Sequence, residues 1–314
     1  LLCAPAGGDL LFDESLPEQG RNFTTKMWNA FKLVKTWEIA DIAQPQHSAL
    51  ALTWFENVIN KAKETLNTQF EQYRISEALM TVYTTFRDEF SSWLLEIIKP
   101  AYGQPIDRKT YEKTLDLFAE LLQLLHPFMP FITEEIWQNL KERKTGESIM
   151  VSVINNDTPY DENLLKEFEF VKEIIVGIRN IRKQNNIAFK DRLELKVKKN
   201  DRYPAAFASI VEKMGNISAT ETVTEAVKGA WSFIVDTVEY FIPGTGNVDT
   251  AEVKAKLEEE LKYTRGFLKS VIAKLSNERF VSGAPEQVVA NERKKQADAE
   301  AKIAAIETQL AELK

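Results

Sequence analysis

The side chains in this sequence best suited to chemistry are cations at helical spacing. Lys262, Arg265 and Lys269 fall at i, i+3 and i+7, so a helix would carry them as one ridge. Arg279, Arg293, Lys294 and Lys295 follow within the next thirty residues. Residues 261–297 hold eight Lys and Arg against three acids, a net charge of +5, while the rest of the 249–314 stretch carries −5. Grouped cations of this kind meet phosphates, and each contact releases counterions from a polyanion. A solvated coiled coil that mixes its signs is the plainer alternative, and the charges alone leave RNA, DNA and that alternative open.

Two further groups have polar chemistry to offer. Asn22, Lys26 and Asn29 sit at i, i+4 and i+7, opposite an apolar stripe of Phe23, Met27 and Phe31. Asn amides can bond base edges, and an ammonium can meet a phosphate. A face that satisfies neighbouring helix ends would use the same residues. The stretch 177–202 holds nine Lys and Arg against three acids, a net of +6, which fits either a wet strand face or an RNA backbone track.

Catalysis has no comparable candidates. The chain has no Gly-rich phosphate loop, no Gly-x-Ser-x-Gly elbow and no His/Cys metal cluster, so no catalytic and no metal-binding residues are assigned. His47 and His126 are the two histidines, and His126 in Leu-His-Pro suits a loop or helix end. Glu134-Glu135 reads as a solvated helical pair, and Gly244-Thr245-Gly246 as a turn. The single cysteine, Cys3, excludes an internal disulfide and any multi-cysteine zinc site.

The elements that must position these residues follow from pattern and punctuation. The 314 residues are 44% hydrophobic with a net charge of −7, divided as −10 over 1–176, +3 over 177–248 and zero over 249–314. With no targeting pattern and no apolar run near membrane length, the chain reads as soluble and cytoplasmic; a monomer is expected. Residues 1–15 read as a connector, and their lack of an initiator Met or targeting pattern looks like a cut made inside a longer protein. Residues 16–186 read as an all-helical bundle, with helices expected near 48–69, 74–99, 107–126, 130–144 and 164–185. Trp54, Phe55, Phe86, Phe90, Trp93, Phe118 and Trp137 are its expected core.

Residues 187–248 read as a small α/β module. Leu193–Lys198 alternates strictly as a strand with one wet face. A short helix over 203–214 and further strands over 217–223 and within 231–242 complete it. Residues 249–314 read as an antiparallel helical hairpin. Val253, Leu257, Leu261, Thr264, Leu268, Val271 and Leu275 line one arm; Val289, Gln296, Ala299, Ile303, Ile306, Leu310 and Leu313 line the other. The spacing is that of a coiled-coil seam with one seven-residue gap. Asp249 with Glu252 resembles a capping box, and Ser282-Gly283-Ala284-Pro285 breaks the arms. The fold class is therefore mainly α: a bundle, a small α/β module and a coiled-coil hairpin.

Specific motifs then carry a family resemblance. Arg21-Asn22-Phe23-Thr24-Thr25-Lys26-Met27-Trp28-Asn29-Ala30 resembles the signature that opens the anticodon-binding bundle of valyl-tRNA synthetases. Leu125-His126-Pro127-Phe128-Met129-Pro130-Phe131-Ile132-Thr133-Glu134-Glu135-Ile136-Trp137 is similar to an element shared by class I synthetases for hydrophobic amino acids. Arg179-Asn180-Ile181-Arg182 resembles the connector that follows. Arg279-Phe280-Val281 with Ala284-Pro285-Glu286 and Val288 resembles the hairpin turn of the valyl enzymes.

The resemblance implies a C-terminal tRNA-binding region of a valine–tRNA ligase, inactive alone, without the HIGH-like and KMSKS-like sequences or the editing domain. It implies tRNA(Val) as partner and no membrane or metal. It implies no cofactor within these residues, with ATP and Mg²⁺ used by the full-length enzyme. The anticodon would meet Arg21, Asn22, Lys26 and Asn29. Connector and arm contacts would come from Arg179, Arg182, Lys262, Arg265, Lys269, Arg279 and Arg293. A sibling class I synthetase region and a coiled-coil protein-interaction scaffold are the alternatives.

Overall fold

The computed structural model describes residues 15–154, 158–244, 250–283 and 286–312. Residues 1–14 of the expected connector, the proposed cap at Asp249, Thr245-Gly246 and the break at Ala284-Pro285 lie outside them. The chain divides into two compact units, Leu1–Glu169 and Phe170–Lys314.

The first unit is a helical bundle. Its apolar stripe makes α1 (Ser15–Lys35) amphipathic, with Glu18 in the first turn and Lys32 and Lys35 in the last, as the helix dipole favours. Pro45 precedes α2 (Gln46–Glu71). The helix expected over 74–99 is present as three segments: α3 (Ile75–Thr84), a π-helix over Thr85–Leu94, and α4 (Leu95–Ile98). Two short strands that no periodicity could announce, β1 (Ile39–Ala40) and β2 (Ile106–Asp107), pair in parallel. Asp107 then caps α5 (Arg108–Leu125) by accepting from the Thr110 N–H at 2.8 Å. Pro130 opens α6 (Pro130–Leu140) at a position where its missing N–H costs nothing. The chain enters α7 (Glu162–Gln184) after residue 161.

Aromatic rings fill the centre of this unit. Trp54, Phe55, Phe86, Phe90, Phe118 and Phe168 are all buried, and Trp54 stacks on Phe168 with centroids 3.9 Å apart. Each such side chain contributes roughly 2 kcal/mol on burial, alongside the buried leucines and isoleucines around it. Trp93, expected in the core, is only half-buried.

The second unit takes the later turns of α7. It continues with β3 (Leu193–Lys198), a 3₁₀ turn at Ala205–Phe207, α8 (Ala208–Gly215) and β4 (Ile217–Val223). The hairpin β5 (Ala230–Val235) and β6 (Val238–Pro243) follows. The sheet order is β4-β3-β6-β5; β3 pairs β4 in parallel, with α8 as the crossover, and the other pairings are antiparallel. Leu193, Leu195 and Val197 are buried while Glu194 is exposed, so the alternation of β3 appears as expected. Gly177 lets α7 approach the sheet: a Cβ there would lie 2.3 Å from the Phe233 ring.

The hairpin consists of α9 (Thr250–Leu275), the short α10 (Glu278–Gly283) and α11 (Glu286–Glu312). Its 26- and 27-residue arms are each about 40 Å long. Lys274 pairs with Glu292 and Glu260 with Lys302, so α9 and α11 run antiparallel. Leu257, Thr264, Val271, Ala299 and Ile306 are buried, and the other described seam residues are half-buried. The side chains of Val253 and Leu313 lie outside the described residues. The seven-residue gap in the second arm is filled by Glu292, which is only 6% exposed.

Candidate RNA-binding surfaces

On α1 the stripe Phe23, Met27, Ala30 and Val34 is buried, which turns Arg21, Asn22 and Asn29 outward. Arg21 is ion-paired with Glu18 one turn earlier, at 3.2 Å. Lys26 is half-buried, and its Nζ donates to the Arg87 carbonyl at 3.2 Å. That carbonyl also accepts from Ser92 Oγ at 2.8 Å within the π-helix, so the altered helical winding presents an acceptor to α1. Phe23 packs on Tyr83 and Phe86, with centroids 4.6 and 5.5 Å away. This joins the α1 face to Arg87, which the sequence reading missed. Arg87 is partly exposed, bidentate to Asp88 at 2.7 and 2.8 Å, and its guanidinium lies over the Tyr83 ring. Hydrogen bonds to Asp88 and Tyr83 raise its pKa above the usual arginine value.

The connector corrects one expectation. Arg179 is exposed near the end of α7. Arg182, expected beside it as an RNA contact, is instead 5% exposed. Its guanidinium donates to the carbonyls of Ala188 and Asp191, each at 2.9 Å, and to those of Gly215 and Asn216 at 2.9 and 3.2 Å. Burial lowers its pKa, with Asp191 opposing the shift, and four carbonyl dipoles replace its lost hydration. The donors of Arg182 are thus directed into the fold, where they tie the segment after α7 to the end of α8.

In the arm, Lys262, Arg265 and Lys269 are all exposed on α9, as are Arg293 and Lys294 on α11. Arg265 reaches across the hairpin to Glu307 at 2.5 Å. Lys295 and Lys274 pair with Glu292 at 2.7 and 3.8 Å. The hydrogen bond from Lys295, aided by the charge of Lys274, holds the Glu292 carboxyl below the usual range despite its burial. The side chain of Arg279 lies outside the described residues.

The remaining polar candidates have structural partners. His126 Nδ1 lies 2.8 Å from Thr133 Oγ1 across the turn before α6. Glu134 accepts from Gln138 and Ser148, both at 2.7 Å, and from the Ile149 N–H at 3.4 Å. Burial would raise its pKa, but these hydrogen bonds hold it below the usual range. Among the described residues, no three His, Cys, Asp or Glu gather as metal ligands would, and no helix is long and apolar enough to cross a membrane.

A bundle whose first helix exposes two amides, followed in sequence by a hairpin with a basic ridge, is the architecture that the synthetase resemblance implies. Comparison with known families agrees: residues 53–198 match the anticodon-binding domain of tRNA ligase, and residues 249–314 match the valyl tRNA synthetase tRNA binding arm. Over its whole length the chain is 57% identical to the valine–tRNA ligase of Phocaeicola vulgatus, 52% to that of Parabacteroides distasonis and 48% to that of Christiangramia forsetii. The chain belongs to the valine–tRNA ligase family, and it spans 36% of the length of these relatives.

Proposed function

We propose that this chain holds tRNA(Val) for a valine–tRNA ligase, the helical bundle taking the anticodon and the hairpin taking the outer corner of the tRNA. The observation that carries this reading is the exposed ridge of Lys262, Arg265 and Lys269 on an arm about 40 Å long. Anticodon bases are unstacked, so amides such as Asn22 and Asn29 can address their edges without net positive charge in the bundle. That accounts for recognition by a bundle whose residues 16–186 carry a net charge of −4. Residues 16–186 then act as the anticodon-binding domain, 187–248 as a linking module and 249–314 as the arm. The protein works as a cytoplasmic monomer.

Valine activation with ATP and Mg²⁺, and esterification of the tRNA, belong in this reading to parts of the enzyme outside the chain. The residues present do not fit those groups: the sequence has no phosphate loop, and no metal-ligand cluster forms among the described residues. The chain should therefore give no ATP–pyrophosphate exchange.

The test is equilibrium binding of tRNA(Val) and a non-cognate tRNA to the chain with and without residues 249–314. Deletion should lower affinity for both and flatten the salt dependence, because corner phosphates carry little sequence information. Asn29→Ala should weaken cognate binding at unchanged Tm, and Lys26→Ala should lower both, since it also loses the Arg87 carbonyl. Deletion with no effect on affinity or salt slope would assign the hairpin to protein scaffolding.

A further inference from the structure

The segment between α7 and β3 is held unusually firmly for a surface loop. From inside, Arg182 donates to the carbonyls of Ala188 and Asp191, each at 2.9 Å. From the side, Asn216 Nδ2 donates to the Phe189 carbonyl at 2.6 Å. Asn186 and Asn216 both adopt left-handed backbone, with φ of 52° and 50°, a conformation that Asn tolerates better than most residues. A loop fixed at this many points could tuck an apolar ring inward, and burial would reward it.

It does the reverse. Phe189 is 59% exposed, although the Arg182 guanidinium lies 5.6 Å from its ring centroid. The ring is therefore backed by a buried cation on one side and open to solvent on the other. Lys190 follows it directly and Lys183 lies six residues before it, in the last turn of α7; both are exposed, and neither is in an ion pair with any described residue. The backbone carbonyl of the neighbouring Asp191 accepts from Arg182, and the Asp191 charge acts on that same guanidinium.

A rigid exposed aromatic among available cations matches what an unpaired nucleotide needs: a flat surface for the base and ammonium groups for its phosphates. A protein partner burying Phe189 would want apolar neighbours, and the loop offers lysines. We propose that Phe189 is a base-stacking platform for an unpaired RNA nucleotide, with Lys183 and Lys190 taking the adjacent phosphates. The proposal rests on the tRNA reading above and adds a contact that is neither the α1 face nor the arm.

The test is binding of tRNA(Val) transcript to the full 314-residue chain. Phe189→Ala and Phe189→Leu should each weaken binding about ten-fold, whereas Phe189→Trp should bind as wild type, because stacking requires an aromatic face. Tm should be unchanged in all three, since the ring is exposed. Lys183→Gln with Lys190→Gln should lower the salt slope by about 1.5. Wild-type affinity in Phe189→Leu, or weak binding in Phe189→Trp, would overturn stacking. Unchanged binding in every variant, with wild type binding tRNA normally, overturns this proposal alone and leaves the loop to a protein contact. A wild-type chain that binds no tRNA overturns the proposal together with the tRNA reading.

Discussion

The connector and the arm are both dense in positive charge; each leaves several cations exposed, Lys183 and Lys190 in the connector among them, and they differ in how the rest are engaged. In the stretch 177–202, Arg182 is buried against carbonyls, Lys196 pairs with Glu221, Lys198 pairs with Glu239 and Arg202 pairs with Asp236. In the arm, Lys262, Lys269, Arg293 and Lys294 are exposed, and Arg265 reaches its partner only across the hairpin. The cause is geometric. A small sheet lays acidic residues of β4 and β6 beside the lysines of β3, whereas a two-helix hairpin has so little interior that most of its charges face water. Linear charge density therefore says little about which cations are available to a polyanion; the density of neighbouring backbone decides.

Three changes would break or sharpen this contrast. The largest effect belongs to Arg182→Ala, which leaves four carbonyls without a donor and should cost about 3 kcal/mol of stability, read by urea unfolding. A loss of tRNA affinity with no loss of stability would show that the connector behaves like the arm after all. Lys262→Ala with Lys269→Ala should do the opposite: unchanged unfolding, with a tRNA salt slope lower by about 1.5 for both cognate and non-cognate species. A drop in Tm comparable to that of the Arg182 variant would erase the distinction from the other side.

The smallest effect concerns Glu292, whose carboxyl is held below its usual range by Lys295 and Lys274. A depressed carboxyl stabilises the folded arm above its unfolded pKa and loses that contribution as pH falls through the folded value. The helical signal of the arm should accordingly weaken between about pH 5 and pH 3 in wild type, and less so in Glu292→Gln. Equal acid sensitivity in the two proteins would assign the effect to other carboxylates.

Much of this was legible in the residues. Leu193–Lys198 and Ile217–Val223 are strands with the bounds that alternation and flanking turns predict. The hairpin seam follows its 3-and-4 spacing through every described apolar position. What escaped did so for identifiable reasons. Phe86, Phe90 and Leu94 repeat every four residues, as an ordinary helix would, so nothing in the pattern announces π winding over Thr85–Leu94. Glu292 holds a seam position by spacing, three residues after Val289 and four before Gln296, but its charge conceals it. Arg182 had the same signal: it lies four residues after Ile178 and eight after Ile174, on the buried stripe of α7. Spacing gave both positions, and residue type hid them.

Glu292 also gives the hairpin an index mark. Apolar seams can slide by a heptad and still find apolar partners, which leaves a simple coiled coil uncertain of its own alignment. Here such a slip would set Phe267 or Val281 at the level of Lys274 and leave the buried Glu292 carboxylate with Lys295 alone. Inserting a single residue would fare no better, because each one turns the helix by about 100° and swings the Lys262–Lys269 ridge away from its heading. The length of the arm and the direction its cations face are thus locked to each other. Lineages that lengthen or shorten it must do so in matched heptads on both helices, and the reach of the ridge should change in steps of about 10 Å.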